Sequence, residues 1–170
     1  MSKKVAVLIA DFVEEVEFIY PYYRLLEEGY EVKVLSPDGK GIKGKKGLPI
    51  SVDGKVGDYT HEDFDAVFVP GGYAPDRLRR YREVLDFVRG IYDAGKPVGS
   101  ICHGPWVLIS AGIVKGKSIT GYFAIKDDIV NAGAHYTGNP VEVDGNIITG
   151  TDPSAMPSLM KAFIQAIERK

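Results

Sequence analysis

The sequence contains one cysteine, Cys102, so the chain cannot form an internal disulfide. No segment has the roughly 20 consecutive apolar residues that a membrane-spanning helix requires, and no charged and then apolar leader precedes Val5. These absences predict a reducing setting, and we expect a cytoplasmic protein. The formal net charge is only −2, which gives no strong field for nucleic acid or for an anionic membrane. We therefore expect neither as a partner.

Two common kinds of ligand site are also missing from the sequence. The three histidines, His61, His103 and His135, are far apart and none has another at the spacing of helical metal ligands, so no metal site is predicted. Residues 39–44 match the Gly-x-Gly-x-x-Gly string of nucleotide sites, but that string must lead into a helix whose N-terminus holds the phosphate. The following residues, 46–52, are not typical of a helix. We interpret this segment as a solvated basic loop and expect no cofactor.

Several apolar runs lack polar alternation, which indicates strands covered on both faces, as in a parallel sheet. Strands and helices alternate along the chain, which predicts an α/β protein with a doubly wound, mostly parallel sheet and helices on both faces. No linker or repeat divides residues 1–170, so we expect one domain. The predicted strands are residues 5–9, 31–35, 48–53, 64–69, 97–101, 118–122 and a hairpin over 141–148; the predicted helices are 16–28, 76–94, one that begins near Gly104 and Pro105, 124–131 and 154–169.

The segment 96–112 contains the sole cysteine. It is typical of a buried strand, an abrupt turn at Cys102 and a helix that starts near Gly104, with Gly112 as its stop signal. Small residues stand two positions before and after the cysteine, at Ser100 and Gly104, as in the Gly-x-Ser-x-Gly elbow. There they let the strand and the helix approach closely. The pattern therefore predicts a nucleophile elbow with Cys102 at its apex.

Three of the predicted strands are followed by residues that could contribute to one site. These residues are Glu14, Glu15 and Glu17, then Gly71 and Gly72, then Cys102 and His103. Singly, each group has a common structural explanation: partners of a helix dipole, a turn, and a small buried hydrophobic residue. Because the carboxyl ends of parallel strands meet at one edge of the sheet, we expect the three groups to converge on an active site there.

Four segments resemble the ThiJ/PfpI superfamily, and in particular its PfpI-like branch of intracellular cysteine hydrolases. They follow the order of that family and span nearly the whole chain. The segments are Glu-Glu-Val-Glu at 14–17 with Tyr20 and Pro21, Pro-Gly-Gly at 70–72, Ser-Ile-Cys-His-Gly-Pro at 100–105, and the run from Lys126 to Gly133. The resemblance implies a flavodoxin-like fold, in agreement with the alternation of strands and helices.

The resemblance also implies roles for individual residues. Cys102 is the expected nucleophile, with a pKa that the helix N-terminus lowers from about 8.5. Glu17 matches the family carboxylate beside the cysteine, and burial is expected to keep it protonated so that it can donate a hydrogen bond to sulfur. His103 is the expected base; adjacent residues at a helix start point in different directions, so its ring need not contact the sulfur. Asp76, shorter than the family's Glu, matches the acid that orients this histidine from a neighbouring subunit.

Further residues are expected to complete the site. The backbone amides of Gly72 and His103 are expected to form an oxyanion hole. Glu15 is expected to face solvent. The expected lining residues of the substrate pocket are Glu14, Gly71 and Tyr122.

The leading hypothesis is a cofactor-free cysteine hydrolase. The PfpI branch is associated with intracellular peptidase activity and with hydrolysis of methylglyoxal or glyoxal adducts on proteins, a deglycase or glyoxalase activity, and the sequence does not separate these. Two alternatives are a redox sensor in which Cys102 is oxidised without turnover, and a flavodoxin-like domain that binds a nucleotide or flavin. The resemblance implies a homo-oligomer, a dimer or a hexamer built from dimers, since Asp76 would act across an interface.

Overall fold

A central sheet organises the computed structural model, which describes residues 1–169. Along the described chain the strands are β1 (Lys4–Leu8), β2 (Glu31–Ser36), β3 (Ile42–Lys43), β4 (Pro49–Ile50), β5 (Gly54–Lys55), β6 (Ala66–Val69), β7 (Val98–Ile101), β8 (Ser118–Ile119), β9 (His135–Tyr136), β10 (Val141–Asp144) and β11 (Ile147–Gly150). The α-helices are α1 (Glu15–Glu27), α2 (Ala74–Leu78), α3 (Arg82–Asp93), α4 (Pro105–Ser110), α5 (Lys126–Asn131) and α6 (Met156–Glu168).

Seven strands form the sheet in the order β10-β11-β7-β6-β1-β2-β5. Every pairing in it is parallel except that of β10 with β11, the predicted hairpin. The strand order reverses between β1 and β6, so the ends of β1, β6 and β7 lie side by side at one edge. The predicted doubly wound, flavodoxin-like fold is confirmed.

Burial explains why the central strands are apolar at every position. All residues of β6, β7 and β11 are buried, and successive side chains of a strand point to opposite faces, so both faces of the sheet are covered. Helix α1 packs against α6, and α3 packs against α4. Phe68 of the sheet and Phe163 of α6 pack with ring centroids 5.6 Å apart. A Cβ at Gly99 would lie 2.8 Å from both rings, so only glycine fits there.

The predicted helix over 76–94 is wrong as a single element, because it is two helices, α2 and α3. Tyr81 between them has extended backbone angles (φ −104°, ψ 119°). Leu78 and Val84 are both fully buried, yet residues six apart on one continuous helix would point about 120° apart. The break lets both side chains reach the core. No helix within residues 1–169 is both long enough and apolar enough to cross a membrane.

Candidate active site

The turn between β7 and α4 places Cys102 at the edge where the parallel strands end. Its φ of 61° lies in the left-handed region, which residues other than glycine rarely adopt. Two backbone hydrogen bonds fix this conformation: its N–H donates to the carbonyl of Gly150 at 3.0 Å, and its carbonyl accepts from the N–H of Tyr122 at 2.9 Å. A Cβ at Gly104 would lie 2.6 Å from the carbonyl oxygen of Val69. The predicted elbow at Cys102 is therefore present, and Gly104 has to be small for the strand and the helix to approach closely.

The sulfur of Cys102 contacts the neighbouring imidazole directly. Sγ lies 3.2 Å from Nδ1 of His103, although the side chains of adjacent residues diverge on a regular helix. The contact is possible because Cys102 is in the left-handed conformation and not yet helical. Burial lowers the pKa of His103 below 6.5, the ammonium of Lys45 lowers it further, and the nearby carboxylate of Asp128 opposes both. His103 is therefore neutral at pH 7 and able to accept a proton.

Glu17, on the first turn of α1, lies beside the sulfur. Its side chain is only 1% exposed, its Oε1 accepts a hydrogen bond from the N–H of Gly71 at 3.0 Å, and its carboxyl group is close enough to Cys102 for each group to affect the pKa of the other. Burial raises its pKa from 4.5 to about 7, and the negative charge of Glu14 contributes in the same direction. A substantial fraction of Glu17 therefore carries a proton at neutral pH.

The expected lowering of the Cys102 pKa is wrong. Burial raises the pKa of this thiol to about 12, and the negative charge of Glu17 adds to the effect, while the N–H groups of His103 and Gly72 oppose it. The helix that follows has only six residues, and its N-terminal field does not outweigh the burial of the sulfur. Because the negative charge of Glu17 is one cause of the raised pKa, protonation of Glu17 lowers the pKa of Cys102.

Two glycines at the end of β6 allow the backbone to approach the sulfur closely. A Cβ on Gly71 would lie 2.5 Å from Oε1 of Glu17 and 2.9 Å from Cβ of Cys102. Gly72 has φ +75°, and a Cβ there would lie 2.3 Å from the backbone nitrogen of Glu14. The N–H groups of Gly72 and His103 both lower the pKa of the Cys102 thiol, which indicates that they face the sulfur. Their expected role as an oxyanion hole stays a prediction.

A cavity of about 300 Å³ opens over the sulfur. Its lining residues are Glu14, Glu17, Lys45, Gly72, Tyr73, Cys102, His103, Tyr122, Asp152 and Pro153. Six of these ten were expected at the site. Gly71, which was expected to line the pocket, is not among the lining residues, and its N–H donates to Glu17. No group of three or more His, Cys, Asp or Glu side chains within residues 1–169 is arranged to hold a metal ion.

Asp76 is not part of this cavity. It lies in the first turn of α2 and forms an ion pair with Arg80, one helical turn further on. No hydrogen bond joins it to His103 within the described chain. Its expected action on the histidine of a neighbouring subunit stays a prediction.

The expectation that Glu15 faces solvent is wrong. The residue is 8% exposed, and its Oε1 accepts hydrogen bonds from the backbone N–H groups of Lys46 at 2.6 Å and Leu48 at 3.4 Å. Burial raises its pKa, but these bonds and the charge of Lys46 lower it overall. Glu15 therefore fastens the loop between β3 and β4 to the start of α1.

That loop supplies Lys45, which the sequence did not indicate as a site residue. Its backbone N–H donates to the carbonyl of Val13 at 2.9 Å, and its Nζ lies 3.3 Å from Oε2 of Glu14 and 5.2 Å from the ring centroid of Tyr73. The segment that we expected to be only a solvated basic loop therefore also contributes a side chain to the cavity. Nothing in the local pattern indicates that the β3–β4 hairpin folds back over the end of β1.

Asp152 is a second cavity residue that the sequence analysis missed. It follows β11, which is parallel to β7, and therefore lies at the same sheet edge as Cys102. Its carboxylate accepts a hydrogen bond from the N–H of Ser154 at 2.9 Å. The rule on strand ends would have identified it, had the hairpin strand been recognised as a parallel neighbour of the elbow strand.

Comparisons with known proteins identify similar sequences and a similar fold. The family described as the DJ-1/PfpI family matches residues 3–166. Deglycase PfpI of Pyrococcus furiosus is 41% identical over 165 residues, which cover 97% of this chain and 99% of that protein. Protein/nucleic acid deglycase 2 of Escherichia coli is 38% identical over 170 residues, 98% of this chain and 99% of that protein.

A solved structure shows the same fold. A two-domain protein from Anabaena variabilis, which contains DJ-1/ThiJ/PfpI-like and ferritin-like domains, superposes with a TM-score of 0.94 at 42% identity. The match covers 96% of this chain and 48% of that one, so this chain spans about half the length of the two-domain protein.

Proposed function

The chain belongs to the DJ-1/PfpI family, and from that membership and the site we propose a cysteine hydrolase with Cys102 as nucleophile and adducts of small dicarbonyl compounds on amines as substrates. The observation that carries the proposal is the contact of 3.2 Å between Sγ and a neutral imidazole, with the buried carboxyl group of Glu17 and the N–H groups of Gly72 and His103 close enough to affect the pKa of the thiol. Relatives named deglycases support this class of reaction.

The first step activates the thiol of Cys102. Because the pKa of the thiol is well above that of the imidazole, the proton leaves only as the sulfur attacks the bound substrate; Nδ1 of His103, 3.2 Å from Sγ, accepts it at that moment. Protonated Glu17 then donates a hydrogen bond to the negative sulfur. This removes the charge that otherwise raises the pKa of Cys102.

The second step exchanges the substrate's nitrogen for sulfur. With a methylglyoxal aminocarbinol, the sulfur bonds to the carbinol carbon, the C–N bond breaks, and the amine leaves with the proton held by His103. The hydrogen on the sulfur-bearing carbon then moves to the neighbouring carbonyl carbon, and the hydroxyl proton of the sulfur-bearing carbon moves to the oxygen of that carbonyl, which converts the hemithioacetal into a thioester of lactate. Water hydrolyses the thioester, so the balance is aminocarbinol plus water to amine plus lactate. The amides of Gly72 and His103 stabilise the oxyanion of the hydrolytic step.

Cavity size favours a dicarbonyl adduct over an unmodified peptide. The cavity of about 300 Å³ lies at the small end of ligand sites, which suits a three-carbon group attached to one side chain. An extended peptide would need a longer groove on both sides of the nucleophile. Unmodified peptides are therefore the second candidate class of substrate, and the same assay distinguishes them from dicarbonyl adducts.

The test compares purified protein on a methylglyoxal-treated peptide and on the same peptide untreated, by release of free amine, lactate and peptide fragments. We expect amine and lactate from the treated peptide, no fragments, and complete loss of activity in Cys102→Ala. Equal lactate release by that variant would refute the nucleophile. Fragments from the untreated peptide would assign the peptidase reaction instead.

The redox-sensor alternative has less support from the site. Thiols that oxidise selectively have a low pKa, whereas burial raises that of Cys102. Mass spectrometry after mild peroxide treatment separates the two. Rapid conversion of Cys102 to sulfinate together with undetectable hydrolysis would favour the sensor.

The second part of the proposal is that the chain assembles into dimers, in which Asp76 of one subunit acts on His103 of the other. Cys102→Ala and Asp76→Asn are each purified, dissociated together and reassembled. If Asp76 acts across the interface, a mixed dimer has one intact site, and activity rises well above that of either parent. If mixing gives only the average of the parents, Asp76 does not act on the neighbouring site.

A further inference from the structure

The imidazole of His103 lies within a row of planar side chains. The ring of Tyr122 stacks on it at 5.2 Å between centroids and an angle of 30°, and the indole of Trp106 contacts it edge-on at 5.0 Å and 71°. The guanidinium group of Arg79 lies 5.5 Å from the indole centroid, while its Nε donates to Oγ of Ser110 at 2.8 Å. The histidine ring is therefore contacted by aromatic groups on two sides.

The indole is itself anchored by a carboxylate on the next helix. Nε1 of Trp106, on α4, donates a hydrogen bond of 3.0 Å to Oδ2 of Asp128, on α5. Rotation of the indole would break this bond and remove the edge that packs on His103. Because the torsion that orients an imidazole ring is intrinsically broad, such packing decides whether Nδ1 points at the sulfur.

We infer that Trp106 and Asp128 are positioning residues, which hold the imidazole of His103 against Sγ of Cys102 within a single chain. The inference rests on the proposed function for its catalytic consequence. It assigns to the chain itself part of the orienting role that the resemblance gives only to Asp76 of a neighbouring subunit. A base held 3.2 Å from the thiol contributes to rate only while it stays there, and a displacement of 1 Å can cost about 100-fold.

Two charged groups act on His103 from the elements packed around it. Asp128 favours its protonation from α5, and Lys45 opposes it from the β3–β4 loop. Tyr122 and the thiol of Cys102 are the other titratable groups in contact with the ring. Replacing Asp128 by asparagine keeps an oxygen acceptor for the indole and removes the charge, so it separates the two effects.

The test uses Trp106→Phe, Asp128→Asn and the double variant, with Asp127→Asn as a charge-matched control on the same helix, where Asp127 is exposed. The first readout is the rate at which iodoacetamide alkylates Cys102 between pH 5 and 9. The second is the NMR titration of His103, which is assigned by His103→Gln and is resolvable because the chain has three histidines. The third is kcat and KM on the treated peptide.

We expect Trp106→Phe to lower the alkylation rate at pH 7 and kcat by about tenfold with KM little changed, and the double variant to lose no more than this single change. Asp128→Asn should retain most of the rate but move the titration of His103 down by a few tenths of a pH unit. Asp127→Asn should move it by less than half as much, since the carboxylate that favours protonation of His103 is that of Asp128.

Wild-type alkylation in Trp106→Phe at unchanged melting temperature would overturn the inference. If Trp106→Phe does not fold, Asp128→Ala takes its place, because it removes the acceptor of the indole N–H, and a wild-type alkylation rate in that variant overturns the inference. If the wild type shows no hydrolysis while alkylation and titration change as expected, the proposed function fails and the positioning role stands.

Discussion

Glu17→Gln should stabilise the protein, by an amount that depends strongly on pH. In the folded protein the pKa of Glu17 is about 7, against an ordinary value of 4.5, chiefly because the carboxyl is buried. The difference of about 2.5 between these values corresponds to about 3 kcal/mol. This is the free energy that folding loses by burying the ionised form. Glutamine has the same shape, is never charged, and can still accept the hydrogen bond from the N–H of Gly71.

The sign follows from the two protonation states. Below pH 4.5 Glu17 is protonated in both the folded and the unfolded chain, so Glu17→Gln changes little. Between pH 4.5 and about 7 the unfolded chain ionises first, and the wild type becomes progressively less stable than the variant. Above about pH 7 both states are ionised, and the difference levels off at its full value, about 3 kcal/mol.

Urea unfolding of both proteins at several values from pH 4 to pH 8 measures this difference directly. Effects of all other groups largely cancel between the two proteins. Glu83→Gln on the exposed side of α3 is the control, and it should stay within about 0.5 kcal/mol of the wild type throughout. Repeating the comparison in the Cys102→Ala background removes the thiol. A difference between Glu17→Gln and wild type that stays constant from pH 4 to pH 8 would refute a buried carboxyl group with a raised pKa.

Three further predictions follow from the same geometry. Gly72→Ala should lower the melting temperature and the activity far more than Gly116→Ala. Both glycines have positive φ, so alanine costs about 1–2 kcal/mol of stability at either position. Only at Gly72 would the new Cβ also overlap the backbone, at 2.3 Å from the nitrogen of Glu14. Similar melting temperatures would contradict this. Glu15→Gln should destabilise the protein near neutral pH, because the ionised carboxylate that accepts hydrogen bonds from two N–H groups is lost. The difference in stability from the wild type should shrink as the pH falls through the lowered pKa of Glu15. Urea midpoints measure this difference, and one that grows in acid would count against the prediction. The acid limb of kcat/KM should have its midpoint below pH 6.5, because burial lowers the pKa of His103; a midpoint above that value would exclude the neutral ring as the base.

Local patterns predicted the fold because its strands are short runs that must be apolar on both faces. The elbow was predictable for a similar reason, since a turn between a buried strand and a helix demands small residues at Ser100 and Gly104 whatever the rest of the chain does. The break between α2 and α3 was not predictable. Pattern alone gives no sign that Leu78 and Val84 must face the core together, because that requirement arises from the surfaces against which the two helices pack.

Cavity residues that lie on loops far from Cys102 in the sequence could not be predicted from local patterns. Lys45 reaches the cavity only because the β3–β4 hairpin folds back and donates from its backbone to Val13. Asp152 follows a strand whose parallel pairing with β7 depends on sheet order. The contact between Cys102 and His103 depends on one positive φ value, which sequence spacing does not specify.

Glu15 and Glu17 show why burial alone does not decide what a carboxyl group does. Two residues apart on α1, they point about 160° away from each other, and both are nearly inaccessible to solvent. Glu15 faces two backbone N–H groups and the charge of Lys46, so its ionised form is stabilised and its pKa falls. Glu17 faces one N–H group and the negative Glu14, so burial dominates and its pKa rises to about 7. Glu15 stays ionised and holds the β3–β4 loop, whereas Glu17 gains and loses its proton near neutral pH. The two pKa values differ because the two carboxyl groups meet different numbers of hydrogen-bond donors, although both residues are glutamates.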